Sequence, residues 1–218
     1  LGFAGAKLLQ ELLEPDSVVA ISGGSTMAAV AEEMPILPFN PTVVPARGGV
    51  GAVVEYQANV IASVLAERLR GTYKMLHLPD GLSQDSLHML MTCEPQIKEI
   101  SDLISRTDVL LFGIGTAMHM ADQRHIADEV RKQLVDNHAV GEALGQYCDM
   151  DGKLIYSTNN IGLSLPDVAK VPNVIAVAGG QEKASAIIGV MRACQKGILI
   201  IDEQAAEGMR QLLQISAL

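Results

Sequence analysis

Apolar and polar positions along the chain follow two alternating rhythms. Short runs from Ser17 to Ile21, Thr42 to Ala46, Tyr73 to Leu78, Asp108 to Phe112, Val174 to Ala178 and Gly197 to Ile201 are near-continuously apolar and rich in β-branched residues. That is the pattern of strands buried on both faces of a parallel sheet. Longer stretches between them repeat at helical spacing. Tyr56, Val60, Ile61, Val64 and Leu65 form one stripe, with Gln57, Asn59, Ser63, Glu67 and Arg68 on the other side, and Ala184, Ile187, Ile188, Met191 and Cys194 form a second. Leu1 to Glu14 also reads as an amphipathic helix. Six strands interleaved with helices predict an α/β fold with a doubly wound, mostly parallel sheet, because parallel neighbours need crossover helices. Gln146 to Ser157 departs from the alternation, reading as strand, then Asp151-Gly152, then strand, which predicts an antiparallel hairpin. No repeat, charge block or Pro/Ser-rich linker marks a boundary, so residues 1–218 read as one domain, with a small subsidiary lobe around residues 116–172.

Composition narrows the class. A hydrophobic share of 49% against 19% charged excludes a disordered chain, and 20 Gly with 9 Pro spread along the length exclude collagen-like or linker material. The 16 Lys and Arg against 25 Asp and Glu give a net charge of −9, which a phosphate backbone would repel, so nucleic acid is not expected to bind this polypeptide itself. Trp is absent and aromatics make up 3%, which removes base-stacking platforms. Cys93, Cys148 and Cys194 are odd in number and widely spaced, suggesting neither a disulfide framework nor a zinc site and a reducing, cytoplasmic setting. The most apolar stretch, Val109 to Met118, is broken by Gly113, Gly115 and Thr116, so no membrane span is expected. A start at Leu1, with no basic leader or cleavage site, suggests a fragment of a longer protein.

The chemistry is concentrated where strands end. The first run is followed by Ser22-Gly23-Gly24-Ser25-Thr26 and a helix from Met27 to Glu33, and the second by Arg47-Gly48-Gly49-Val50-Gly51. The fourth leads into Gly113-Ile114-Gly115-Thr116 and the fifth into Gly179-Gly180-Gln181-Glu182-Lys183 and a helix. In an open parallel sheet these four ends share one edge, where ligands bind at the topological switch point. Glycines let backbone N–H groups approach an anion, and a following helix adds unpaired donors and the positive end of its dipole. Ser25 and Thr26 supply hydroxyls, Arg47 a planar fork for bidentate contact and Lys183 a point charge. Cations gathered on one edge of an acidic chain point to a phosphorylated small molecule.

Plainer readings exist for each feature. A Gly-Gly after a strand can be a tight turn only, and Ser25 or Thr26 can simply cap a helix. Gly113-Ile114-Gly115 opens like a dinucleotide fingerprint, but Met118 stands where a glycine is required, which argues against a nicotinamide. His119 and His125 are six residues apart and do not stack on one helical face, so no metal site is expected; Asp149-Met150-Asp151-Gly152 is better explained as a turn than as a calcium loop. His77, His88 and His138 read as structural. Glu142 is an acid in a small, apolar stretch and reads equally as an acceptor for sugar hydroxyls or as a solvated helix residue.

Taken together, Ser22-Gly23-Gly24-Ser25-Thr26, Val44-Pro45-Ala46-Arg47-Gly48-Gly49, Gln57-Ala58-Asn59, Gly71-Thr72-Tyr73, Leu82-Ser83-Gln84, Gly113-Ile114-Gly115 and Ala178-Gly179-Gly180 with Lys183 resemble the sugar-binding domain of SorC/DeoR-type bacterial transcription regulators over nearly the whole chain. The resemblance implies a Rossmann-like fold related to glucosamine-6-phosphate deaminase and ribose-5-phosphate isomerase, without catalysis and without a cofactor. It further implies an upstream helix-turn-helix through which operator DNA would be bound, a homo-oligomer (dimer or tetramer), and a glycolytic sugar phosphate, foremost fructose 1,6-bisphosphate, as the effector of a repressor of glycolytic genes. One phosphate would be held by Ser25, Thr26 and Arg47 with Lys183, alongside the backbone of Gly23, Gly24, Gly48, Gly49, Gly115 and Gly180, while Gln57 and Glu142 would face the sugar. The second phosphate would be met after the Gly-Ile-Gly strand, where the chain reads Asp122-Gln123-Arg124-His125, leaving Arg124 basic and Gln123 in place of a further basic residue. The competing expectation is a sugar-phosphate isomerase or deaminase, which requires a positioned general base such as Glu142.

Overall fold

The protein is described by a computed structural model covering residues 1–49 and 53–214. The six expected strands form one parallel sheet: β1 (Val18–Ile21), β2 (Thr42–Pro45), β3 (Thr72–Tyr73), β4 (Val109–Gly113), β9 (Asn173–Val177) and β10 (Ile198–Ile200), in the order β10-β9-β4-β1-β2-β3. Helices precede, connect and follow the strands: α1 (Gly2–Leu12), α2 (Ser25–Glu33), α3 (Ala58–Arg68), α4 (Gln84–Cys93), α5 (Pro95–Ser105), α6 (Ala117–Gln123), α7 (Asp128–Asp136), α8 (Ala184–Cys194) and α9 (Glu203–Leu212).

The near-continuous apolar runs are explained by two cores, one on each face of the sheet. Along β1, Val19 and Ile21 join Val43, Leu111, Ile175 and Val177 beneath α1, α2 and α3, packing on Leu9, Met27, Val30, Ile61 and Leu65. Ala20 points the other way and joins Val44, Leu110, Phe112 and Ala176 against Ile100 and Ile104 of α5 and Ile187 of α8. With side chains alternating across the pleat, a strand covered on both faces must be apolar at every position.

Two details differ from the sequence reading. The third strand is short: pairing stops at Tyr73, and the extended chain beyond it is held by a side chain. The buried amide of Asn59 accepts from the Leu76 N–H at 2.9 Å and donates to the Leu76 carbonyl at 3.2 Å, standing in for a neighbouring strand. Asn59 was expected to face solvent, but the α3 stripe is rotated. Small residues Ala58, Ala62 and Ala66 let the helix close down with Ile61 and Leu65 inward, which leaves Tyr56 44% exposed.

Between β4 and β9 the chain builds a second, antiparallel sheet, β5 (Gly115–Thr116), β6 (Gly141–Ala143), β7 (Gln146–Cys148) and β8 (Leu154–Ser157), in that order. The expected hairpin is β7–β8. Its turn is organised by the Asp149 carboxylate, which accepts from the N–H groups of Asp151 at 3.0 Å and Lys153 at 2.9 Å, with Gly152 at φ 85°. That is a local Asx arrangement. Tyr147 is fully buried from the sheet against Ala117, Ala121 and Leu134.

Leu111 is fully buried in the central strand, so Leu111→Ala is expected to lower unfolding free energy by about 3 kcal/mol in denaturant titrations. Of the three thiols, Cys148 and Cys194 are buried, and burial pushes both up to about 12, whereas Cys93 is exposed. A maleimide at pH 7.5 should therefore modify one cysteine in the native protein and three after denaturation, because the protonated buried thiols are poor nucleophiles.

Candidate functional site

The strand order places the site. From β1 the chain moves outward to β2 and β3, then returns across β1 to β4, β9 and β10. The crevice beyond the carboxyl ends of β1 and β4 is therefore a switch point. The two ends are stitched there: the Ser22 N–H donates to the Leu111 carbonyl at 2.9 Å, and the Ser22 hydroxyl accepts from the Gly113 N–H at 3.1 Å. A cleft of about 350 Å³ opens above them. Gly23, Gly24, Ser25, Thr26, Arg47, Gly48, Gly49, Gln57, Gly115, Arg124, Glu142 and Lys183 all line it. Gly180 does not: its N–H donates to both oxygens of Asp202 at 3.1 and 3.0 Å, which fixes the turn leading to Lys183 and leaves no donor for the cleft.

The first wall is the start of α2. Helix residues begin at Ser25, and Gly24, at φ 114°, is the N-cap with no side-chain cap bond, so Ser25 and Thr26 are not caps but first-turn residues at the cleft. The first-turn N–H groups have no intrahelical acceptor. Gly23 must be glycine, since a Cβ would lie 2.8 Å from the Tyr56 carbonyl oxygen, which itself accepts from the Gly24 N–H at 2.8 Å. Gln57 sits at the start of α3 beside this turn.

The second wall is a set of four charges. Arg47, 8% exposed, donates to Asp80. Asp80 also meets Arg124 at 3.5 Å, and Arg124 donates to Glu142 at 3.1 Å. Glu142 is buried in β6 and additionally accepts from the Gly145 N–H at 2.6 Å, so it is neither solvated nor helical. The β6–β7 turn, Leu144-Gly145 with φ 52° and 77°, is a two-residue loop of the kind that closes hairpins. A Cβ at Gly145 would lie 2.5 Å from the Arg47 guanidinium carbon, so a side chain there would have to displace that head group. Burial, then the neighbouring Arg124, pushes the Arg47 guanidinium below its ordinary value. For Arg124, burial pulls the same way but Glu142 and then Asp80 outweigh it, so its pKa lies above the ordinary value. Two cations and two anions cancel in this wall. Lys183, by contrast, enters no ion pair among the described residues and faces the cleft from the opposite loop.

Asp80, His119 and Gln123 also line the cleft. Asp80 escaped the sequence reading because Pro79-Asp80-Gly81 carries only a local turn signal, whereas its contacts lie 33 and 44 residues away. Among the described residues no three His, Cys, Asp or Glu side chains are grouped to hold a metal, and no helix is long and apolar enough to cross a membrane. Val50 and Gly51 of the second glycine loop lie outside the described residues.

Residues 1–211 match the family described as "Putative sugar-binding domain". The chain is 38% identical over 209 residues to the central glycolytic genes regulator of Bacillus subtilis and 40% identical over 210 residues to that of Priestia megaterium, in each case covering 95% of this chain. It spans 61% of the length of each of those relatives. A crystal structure described as a "putative SorC family transcriptional regulator" from Enterococcus faecalis matches at TM-score 0.87 and 38% identity, covering 95% of this chain and 86% of that one. The full-length sorbitol operon regulator SorC from Klebsiella pneumoniae shares the fold at TM-score 0.85 and 24% identity, covering 95% and 71%. These relatives are transcriptional regulators, not isomerases or deaminases. With its doubly wound sheet, its switch-point cleft and a family match over residues 1–211, the chain belongs to the sugar-binding domain family of SorC/DeoR-type transcriptional regulators.

Proposed function

We propose that residues 1–218 are the effector-binding domain of a cytoplasmic transcriptional repressor of glycolytic genes, and that the effector is a phosphorylated sugar, foremost fructose 1,6-bisphosphate. The reading is carried by one observation: the first turn of α2, with Ser25 and Thr26, and the Lys183 side chain line a single cleft together with Arg47. A helix N-terminus, two hydroxyls and an ammonium are complementary to a phosphoryl dianion. The likeness to two central glycolytic genes regulators supports the choice of a glycolytic sugar.

In this reading one phosphoryl group sits between α2 and Lys183 while the sugar extends toward Gln57 and Glu142. Arg124 and Gln123 face any second phosphoryl group. With Gln123 neutral, Arg124 alone offers that group a charge, so hexose monophosphates are expected to be weaker effectors by a modest margin only. Glu142 is held by Arg124 and the Gly145 N–H, which favours an anchoring role over proton transfer and so disfavours the isomerase alternative. DNA would be bound by a region outside these residues, and the effector would shift a homo-oligomer, dimer or tetramer, between DNA-competent and DNA-incompetent states by no more than its differential affinity for the two.

Calorimetric titration checks this directly. Fructose 1,6-bisphosphate is expected to bind saturably, and Lys183→Ala to weaken it by about tenfold or more, the loss of one charge-assisted contact. A wild-type chain that gives no heat with fructose 1,6-bisphosphate or any hexose or triose phosphate would overturn the assignment.

A further inference from the structure

Asp80 occupies an unusual position for an acid in a cleft read as an anion receptor. It lies in a Pro79-Asp80-Gly81 turn, with Gly81 at φ 77°, on a segment without ladder pairing between the buried Leu78 and Ser83, the N-cap of α4. Residues 79–82 make no backbone–backbone hydrogen bond among the described residues; what ties the turn to the cleft is the Asp80 carboxylate. It is bonded to Arg47, lies 3.5 Å from Arg124, and accepts from the Asn160 amide at 2.9 Å, which in turn donates to the Gly48 carbonyl at 2.8 Å. The carboxylate thus stands where an incoming anion would meet both guanidinium groups.

We propose that Asp80 is a built-in competitor that sets the anion specificity of the cleft: its carboxylate holds Arg47 and Arg124 in the unliganded chain, and a phosphoryl dianion displaces it whereas a ligand carboxylate does not. The inference rests on the sugar-phosphate reading above and names how that site discriminates. Exchanging Asp80 for another carboxylate replaces one unit charge and two oxygens with the same, so nothing is gained to offset ordering the ligand. A phosphoryl group brings a charge of roughly −1.5 to −2 and three acceptor oxygens. The arginines can use the surplus, since Arg124 Nε is buried without a hydrogen-bond partner among the described residues. Displacement also frees the turn, because its polar ties run through the same carboxylate.

The test compares wild type with Asp80→Asn, which keeps the shape and the contact with Asn160 but removes the charge. Titrations use fructose 1,6-bisphosphate and glucuronate, a sugar whose anionic group is a carboxylate. Wild type is expected to bind the bisphosphate and ignore glucuronate. Asp80→Asn is expected to bind the bisphosphate about tenfold tighter, as a like charge is removed from its path, and to gain glucuronate binding. Limited proteolysis of wild type supplies a readout that needs no variant: cleavage within residues 80–83 should be faster in saturating bisphosphate. An Asp80→Asn chain that binds the bisphosphate unchanged or more weakly, or still ignores glucuronate, would show that Asp80 only positions the arginines and would overturn the inference while leaving the site intact. Slower or unchanged cleavage at 80–83 would overturn it equally. Silence of wild type toward the bisphosphate would instead remove the sugar-phosphate reading beneath it.

Discussion

Every strand of the large sheet runs in the same direction, and the cleft depends on that. Parallel pairing sends each strand's carboxyl end to one edge, so turns that are distant in sequence, after Ile21, Pro45 and Gly113, open side by side. The reversal of winding at β1 then parts the chain above β1 and β4 instead of covering them. Two apolar cores lock this arrangement from both faces. The sheet is thus held largely by its apolar cores, which leaves the rim to polar groups.

At that edge two electrostatic strategies meet. Around α2 the positive potential comes from backbone N–H groups and Lys183, which have no compensating anion among the described residues. Across the cleft, the buried Arg47 and half-buried Arg124 are kept charged by Asp80 and Glu142; a buried guanidinium without such partners would be costly to form. The two walls consequently differ in how they respond to a ligand. In the reading proposed above, one accepts an anion as it stands, and the other exchanges a partner. Gly145 and Gly23 show how tightly the backbone is drawn around these groups, because a methyl group at either would collide with Arg47 or the Tyr56 carbonyl.

The sheet was legible because burial on both faces leaves a signature, continuous β-branched runs, that survives without knowledge of contacts. Glycine loops after those runs were legible for the same reason, and twelve of the thirteen residues expected at the site line the cleft. Gly180 stands outside the cleft lining, its N–H taken by Asp202, a residue 22 positions later. The short β3 and the rotated α3 share another cause: Asn59 reads as a surface residue by type, yet its amide is the partner that the Leu76 backbone lacks. Asp80 and Asn160 were invisible for a similar reason, as their roles arise only when the turn after β3 and the loop after β8 come together. Local signals fix elements and their ends; long-range polar pairings carry no local signal.

The account's central claim is that the rim of this sheet receives a phosphoryl group between the first turn of α2 and Lys183. A crystal structure of the chain with fructose 1,6-bisphosphate tests it most directly. The phosphorus is predicted to lie where its oxygens accept from first-turn N–H groups of α2 and from Lys183 Nζ, at about 3 Å. A sugar phosphate bound elsewhere on the surface, or a cleft left empty at saturating ligand, would contradict it.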